Sequence, residues 1–395
     1  MRAGRRAIVL VIDACGVGAL PDAADYGDAG TNTLAHLADD LGGLSLPCLQ
    51  QLGLGSILPL AGVPPSERPA IHGRLHALGP GKDSTSGHWE LMGAVLDRPL
   101  PTYPEGLPQP LLDQLSEAIG ARVICNRPSN GIKAIEEFGA EHLQSGALIL
   151  YTSTDSVVQI AAHVERVGEH DLYAACVAAR GVLSGQHGVG RVIARPFTGR
   201  EGAFARTEGR RDYTLAPPRR TYLQEMHKRG VPVHGVGKVS DLFGGTGISR
   251  SHPGATNVAA LESTSVLLQD MQEGMIFVNL IETDQVYGHR KDLQGFHAAL
   301  QQIDAQLAGW LAQLRLQDLL VITADHGVDP RHPSGDHTRE HAPLLAVTGA
   351  MLRDGVAGAR HDGPLADVGA SALLWLTGDR VAAMPGRSFL GGGDA

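Results

Sequence analysis

Cysteine is scarce in this sequence. Only Cys15, Cys48, Cys125 and Cys176 occur in 395 residues, and no two form a CxxC pair. That excludes a disulfide framework and fits reduced thiols in a cytoplasmic protein. Positive charge is also short: the formal net charge is -9, which argues against a nucleic-acid surface, although local basic clusters can still hold phosphates. No apolar run approaches the roughly 20 residues needed to cross a membrane. The opening "MRAGRRAIVLVIDACG" mimics a signal peptide, but its apolar run stops at Asp13, too soon for one, and reads as a buried first strand. Internal repeats and low-complexity tracts are missing. "GVGK" followed by "GGTG" lacks the GxxxxGK[ST] spacing of a nucleotide phosphate loop, and no CxPxR-type stretch of a sulfatase is found.

What is present is an ordinary globular composition, 43% hydrophobic and 19% charged. The length exceeds one typical core and predicts two domains. "AIVLVID" (7–13), "MIFVNLIETD" (275–284) and "LLVITADHG" (319–327) read as buried parallel strands, rich in Val, Ile and Leu without alternation. A helical pattern over 295–314 lies between the last two. The proline-rich stretches 98–110 and 214–222 punctuate the chain. They predict a discontinuous core of residues 1–101 and 217–395, with residues 102–216 inserted as a second domain. The fold class is therefore α/β: a mostly parallel central sheet flanked by helices, plus a smaller inserted α/β cap.

All three apolar strands carry an aspartate at their carboxyl end, the edge where ligands gather in open α/β sheets. Asp13, Asp284 and Asp325 are joined by His289, His326 and His337, the last eleven residues beyond His326. Each residue alone is as well explained by a helix cap, a turn or a solvated histidine. Together, three carboxylates and three imidazoles make two ligand sets whose mixed O/N donors suit Mn²⁺ or Zn²⁺ better than Ca²⁺. Two such ions about 3.5–4 Å apart clamp the attacking and leaving oxygens of a phosphoryl displacement. They can also turn an alcohol into a nucleophile near neutral pH. "GKDSTSGHWE" (81–90) offers three candidates, Ser84, Thr85 and Ser86, before what reads as a helix. Free N–H groups at a helix N-terminus favour a phosphorylated side chain. The residues alone do not choose among the three. Trp89 is expected to pack beneath that helix.

The ligands in this order, with a hydroxyl near position 85, resemble the alkaline phosphatase superfamily, and within it the bacterial phosphopentomutase family. "GKDSTSGHWE", "NLIETDQVYGHRKD" (279–292), "TADHGVDP" (323–330) and "GDHTREHAPLL" (335–345) resemble its nucleophile and metal motifs. "YTSTDSVVQIAAH" (151–163), "GRVIARPFTG" (190–199), "FARTEGRRDYTLAPP" (204–218) and "GVGKVSDLFGGTGI" (235–248) resemble its cap and substrate segments, so the likeness spans nearly the whole chain. The departures are Ser84 and Ser86, which flank Thr85, and His341 and Ala342, where an aromatic and a small apolar residue are expected.

The resemblance implies an isomerase that interconverts ribose 1-phosphate and ribose 5-phosphate, and the 2-deoxyribose equivalents, in nucleoside salvage. The implied route runs through a phosphothreonine at Thr85 and a pentose 1,5-bisphosphate. Asp13, Asp325 and His326, with Thr85, would hold one ion; Asp284, His289 and His337 would hold the other. Two Mn²⁺ are implied, with Mg²⁺ or another divalent ion as substitutes and a sugar 1,6-bisphosphate as activator. Ser153, Asp155, Arg191, Arg206 and Lys238 are expected on the sugar and distal phosphate, the arginines as bidentate forks and the lysine as a point charge. The expected partners are small pentose phosphates, with no nucleic acid and no membrane, and a monomer is expected. The rival readings are a phosphatase or another phosphomutase of the superfamily, and a non-catalytic metal-binding protein, which would need no hydroxyl aligned with the ligands.

Overall fold

A computed structural model describes residues 4–153 and 156–391. The chain forms two compact units, Met1–Arg98 with Pro217–Ala395, and Pro99–Ala216. Pro99 rather than residue 102 opens the inserted unit, because the next residues are tied into it. The Pro101 carbonyl accepts a 2.6 Å hydrogen bond from Ser156 Oγ, and Tyr103 packs on that unit's core.

The larger unit is built on an eight-stranded sheet in the spatial order Arg250–His252, Val233–Val236, Gly274–Leu280, Arg6–Ile12, Asp318–Thr323, Ala342–Thr348, Ile71–His76 and Gly363–Pro364. Among these, only Ala342–Thr348 runs against the rest. The three central strands are wholly buried, as their unbroken apolar runs require. They end sooner than the sequence suggests, at Ile12, Leu280 and Thr323. The register is nonetheless nearly flush: Ile12 pairs with Leu280, and Val11 pairs with both Asn279 and Thr323. The aspartates that follow therefore emerge at one edge. Asp13 N–H still donates to Leu280 O at 3.1 Å. After Leu280 the chain winds into a π-helical turn, Thr283–Gly288, which carries Asp284. The expected long helix spans Leu293–Leu311.

At the opposite edge Arg6 opposes Asp318 in the register and is fully buried with it. The guanidinium grips the carboxylate in a fork, 2.8 Å from Nε to Oδ1 and 2.5 Å from Nη2 to Oδ2. Its remaining nitrogen donates to Leu268 O (2.6 Å) and Met271 O (3.2 Å).

The inserted unit has its own sheet in the order Val123–Pro128, Leu148–Thr152, Val157–His163, Arg191–Thr198 and Ala205–Arg206, with Arg211–Thr214 also paired to Arg191–Thr198. Helices Gln109–Ile119, Gly131–Ser145 and Glu169–Val182 belong to the same unit. One apolar cluster gathers around Leu115, Leu150 and Val192, and another around Ile135, Tyr151 and Phe197. No helix among the described residues is long and apolar enough to cross a membrane.

Candidate metal centre

Three carboxylates and three imidazoles meet beyond the flush strand ends. His326 Nε2 lies 3.4 Å from Asp13 Oδ1 and 3.4 Å from Asp325 Oδ2. His337 Nε2 lies 3.4 Å from Asp284 Oδ1, and His289 Nε2 lies 3.3 Å from Asp284 Oδ2. Among the described residues two groups are compact enough to hold an ion, Asp13–Asp325–His326 and Asp284–His326–His337. His326 belongs to both. His289, expected in the second set, stands against the outer oxygen of Asp284.

The orientation of these rings is set from behind. His326 Nδ1 is 3.1 Å from Gly327 O and His289 Nδ1 is 2.6 Å from Gly335 O. A carbonyl can only accept, so both Nδ1 atoms are protonated and both Nε2 atoms face the carboxylates. Asn279, an amide in an otherwise apolar strand, donates from Nδ2 to Asp13 Oδ2 at 3.1 Å. Ala14 turns into the left-handed region (φ 63°) and sends its N–H to Asp325 Oδ1 at 3.2 Å.

Several buried atoms aimed into this space have no hydrogen-bond partner: Asp284 Oδ1, Asp325 Oδ2 and His337 Nε2. Lone pairs left unpaired in a buried site are costly. They are the donor atoms a divalent ion needs, and the residues fit one. Electrostatics agree. Burial, and then the Asp325 charge, push Asp13 up to about 6. Burial alone would also raise Asp284, but the imidazoles of His289 and His337 that face it reverse the effect and hold that carboxyl far below the usual range. The Asp284 carboxylate in turn lifts His289 to about 9. A pocket that shares protons in this way accepts a cation in their place.

The hydroxyls are resolved by the helix Ser84–Leu91. Asp83 caps it, with Oδ1 accepting from Thr85 N (3.0 Å) and Ser86 N (3.1 Å). Asp83 N–H donates in return to Ser86 Oγ at 3.3 Å, so Ser86 is the partner in a capping box. Ser84 Oγ lies 3.1 Å from His326 Nε2 and 3.4 Å from Asp13 Oδ1. Thr85 points about 100° further round the helix, and its hydroxyl bonds to none of the six ligands. The hydroxyl at the ligands is Ser84, not the expected Thr85. The expected open helix terminus is also altered, since the Asp83 carboxylate already takes two of its N–H groups.

The loop leading to Ser84 is held at successive backbone groups. Glu90 accepts from Leu78 N and, at 3.0 Å, from Gly79 N. Arg339 Nη1 donates to Gly79 O (2.8 Å) and Gly81 O (2.7 Å), while its other nitrogens fork onto Asp22. Tyr26 OH donates to Pro80 O at 3.0 Å, and Lys82 Nζ is paired with buried Asp28 at 2.7 Å. None of this network was foreseen except as letters in a motif. Arg339 stands two residues after His337, and that spacing was the available signal. His341 bonds the Gly18 carbonyl and touches no ligand. Trp89 is buried, with its Nε1 donating to Leu242 O at 2.7 Å.

Lys238 reaches the ligand edge, where its Nζ donates to Gln285 Oε1 at 2.6 Å, next to Asp284. In the inserted unit, Arg191 opens the strand Arg191–Thr198 and faces Asp212 at 3.6 Å. Arg206 pairs with Phe197 near the strand's other end, about 20 Å away along the backbone. Ser153 follows the strand Leu148–Thr152, and Asp155 lies outside the described residues.

Residues 5–378 match the family model described as the metalloenzyme superfamily. A curated relative from Carboxydothermus hydrogenoformans, named phosphopentomutase, is 45% identical over 368 residues, covering 93% of this chain and 94% of the relative. Phosphopentomutases from Acetivibrio thermocellus (44%; 98% and 99% covered) and Dictyoglomus thermophilum (46%; 86% and 87% covered) are similarly close.

Proposed function

The chain belongs to the phosphopentomutase family of the metalloenzyme superfamily, and from that premise we infer that it interconverts the 1- and 5-phosphates of ribose and of 2-deoxyribose. The phosphoryl group is carried on Ser84 rather than Thr85. The observation that carries this assignment is the Ser84 hydroxyl, 3.1 Å from His326 Nε2 and 3.4 Å from Asp13 Oδ1 at the first turn of a capped helix.

Divalent ions held by Asp13, Asp325, His326, Asp284, His337 and His289, with Mn²⁺ the proposed identity, would neutralise charge on the moving phosphoryl group and lower the pKa of the hydroxyl. The chain's own residues do the rest. Phosphorylated Ser84 gives its phosphoryl group to the free hydroxyl of a pentose monophosphate, forming the 1,5-bisphosphate. Return of the other phosphate to Ser84 Oγ leaves the isomer. Positioning dominates such a transfer, since the protein has little proton chemistry to perform. Arg191, Arg206, Lys238, Ser153 and Asp155 are the proposed contacts to sugar and distal phosphate. A sugar 1,6-bisphosphate is the proposed source of the first phosphate, the cytoplasm the proposed location and a monomer the proposed state.

The test is ³¹P NMR of the protein with Mn²⁺, ribose 5-phosphate and a trace of sugar 1,6-bisphosphate. Ribose 1-phosphate should form without free phosphate. Release of free phosphate alone would make the protein a phosphatase and refute the reading.

A further inference from the structure

His88 is fully buried and belongs to neither ion-binding group. Its Nδ1 lies 2.9 Å from the carbonyl of Ser84 and 3.1 Å from Asp325 Oδ2. A carbonyl only accepts, so this nitrogen is the donor; its N–H goes to Ser84 O, and the ring edge faces the Asp325 carboxylate as a close ion-pair contact. The adjacent residue brings them that close. A Cβ at Gly87 would lie 2.5 Å from the Asp325 carbonyl oxygen and 2.9 Å from Asp325 Cβ, so only glycine lets the helix approach the ligand segment. Nε2 has no partner and the ring rests against Phe277, so His88 is not held by a second polar anchor. Its geometry is set by the Ser84 carbonyl and the neighbouring Asp325 charge.

We propose that His88 is a positioning residue that couples occupancy of the Asp13–Asp325–His326 group to the placement of the Ser84 hydroxyl, through one ring nitrogen that is bonded to the Ser84 carbonyl and stands against the Asp325 carboxylate. The proposal rests on the reading of Ser84 as the phosphoryl carrier. Donors behind a ligating carboxylate orient it, and removing one typically weakens metal binding about 10–100-fold. Here the same donor also holds the backbone of the reacting residue. A change at His88 therefore reaches both metal affinity and turnover, while leaving the sugar phosphate contacts alone.

The test compares His88→Asn with His88→Gln in the full chain. The asparagine amide nitrogen takes the place of Nδ1, whereas the glutamine amide nitrogen takes the place of Nε2. Mn²⁺ affinity is read by EPR titration, which needs no turnover, and kcat and KM are then measured at saturating Mn²⁺. For His88→Gln the expected result is Mn²⁺ affinity about 10–100-fold weaker, kcat still down at saturating metal, and KM for ribose 5-phosphate little changed. His88→Asn should recover most of both losses. Unchanged Mn²⁺ affinity in the glutamine variant overturns the proposal. So does a kcat fully restored by excess Mn²⁺, which would leave His88 orienting Asp325 alone. Failure of the Ser84 reading looks different: Ser84→Ala would keep its activity whatever His88 does.

Discussion

Ser84 and His326, separated by more than half of the chain, bring Oγ and Nε2 to within 3.1 Å. The contact depends on helix phase. Asp83 as N-cap makes Ser84 the first helical residue and turns Thr85 aside. Ser84→Ala should lower kcat by at least about 10³-fold, on the scale of other lost covalent nucleophiles, whereas Thr85→Ala should stay within about tenfold of the parent. Intact-mass measurement after exposure to a sugar bisphosphate should find the added phosphate in Thr85→Ala and not in Ser84→Ala. The opposite pattern would return the role to Thr85.

The unpartnered oxygens of Asp284 and Asp325 make a prediction about metal and stability. Binding to the folded state alone stabilises it by about 2.7 kcal/mol at a ligand concentration 100 times Kd. The thermal midpoint should rise as Mn²⁺ is titrated into EDTA-treated protein. Asp284→Asn should blunt that rise, because the remaining imidazoles keep no charged oxygen between them. A midpoint indifferent to Mn²⁺ would contradict the assignment of the site.

At the far edge of the same sheet the Arg6–Asp318 pair is wholly buried. Removing one member of a buried pair strands the other charge, at a cost of about 3–5 kcal/mol. Asp318→Ala should show this in urea unfolding. The double change Arg6→Met with Asp318→Leu should be far milder than the single one, since apolar packing often replaces such a pair. If the double variant is the worse of the two, the guanidinium's bonds to Leu268 and Met271 matter more than the charge pair.

Glu225 supplies a pH dependence. Burial would raise its carboxyl, but hydrogen bonds from Arg229 and Arg220 outweigh it and set the folded value below the ordinary one. A depressed carboxylate contributes stability that is fully present above its unfolded pKa, about 4.3, and is lost as pH falls through the folded value. The stability gap between the parent and Glu225→Gln should therefore be widest near pH 7 and shrink below pH 4. Urea midpoints at both pH values read it, and an equal gap at both would refute the linkage.

The apolar runs made the three central strands legible, and the aspartates after them marked the working edge. The strand ends were overextended because "IETD" and "TADHG" continue the apolar-to-polar grading of a strand, while the chain has already left the sheet. The π-helical turn at Thr283–Gly288 leaves no such mark in composition, since it is fixed by tertiary contacts. The choice among Ser84, Thr85 and Ser86 was partly within reach. Asp83 with Ser86 three residues later is a cap pattern, and it removes Ser86. Choosing between the other two needs the helix phase against Asp13 and His326. The groups behind the ligands, His88 and Asn279, carry no spacing signal, because each meets a ligand far away in sequence.

The flush register of Arg6–Ile12 against Gly274–Leu280 and Asp318–Thr323 has a consequence for assembly. The neighbours in space are more than half of the chain apart in sequence, and the sequence of an independently cored unit lies between them. Contacts of such separation carry a large loop-closure entropy and form late. The two ligand groups cannot exist until the first strand has inserted between two strands synthesised long after it. During refolding, Mn²⁺ uptake should therefore lag behind the burial of Trp89 and Trp310.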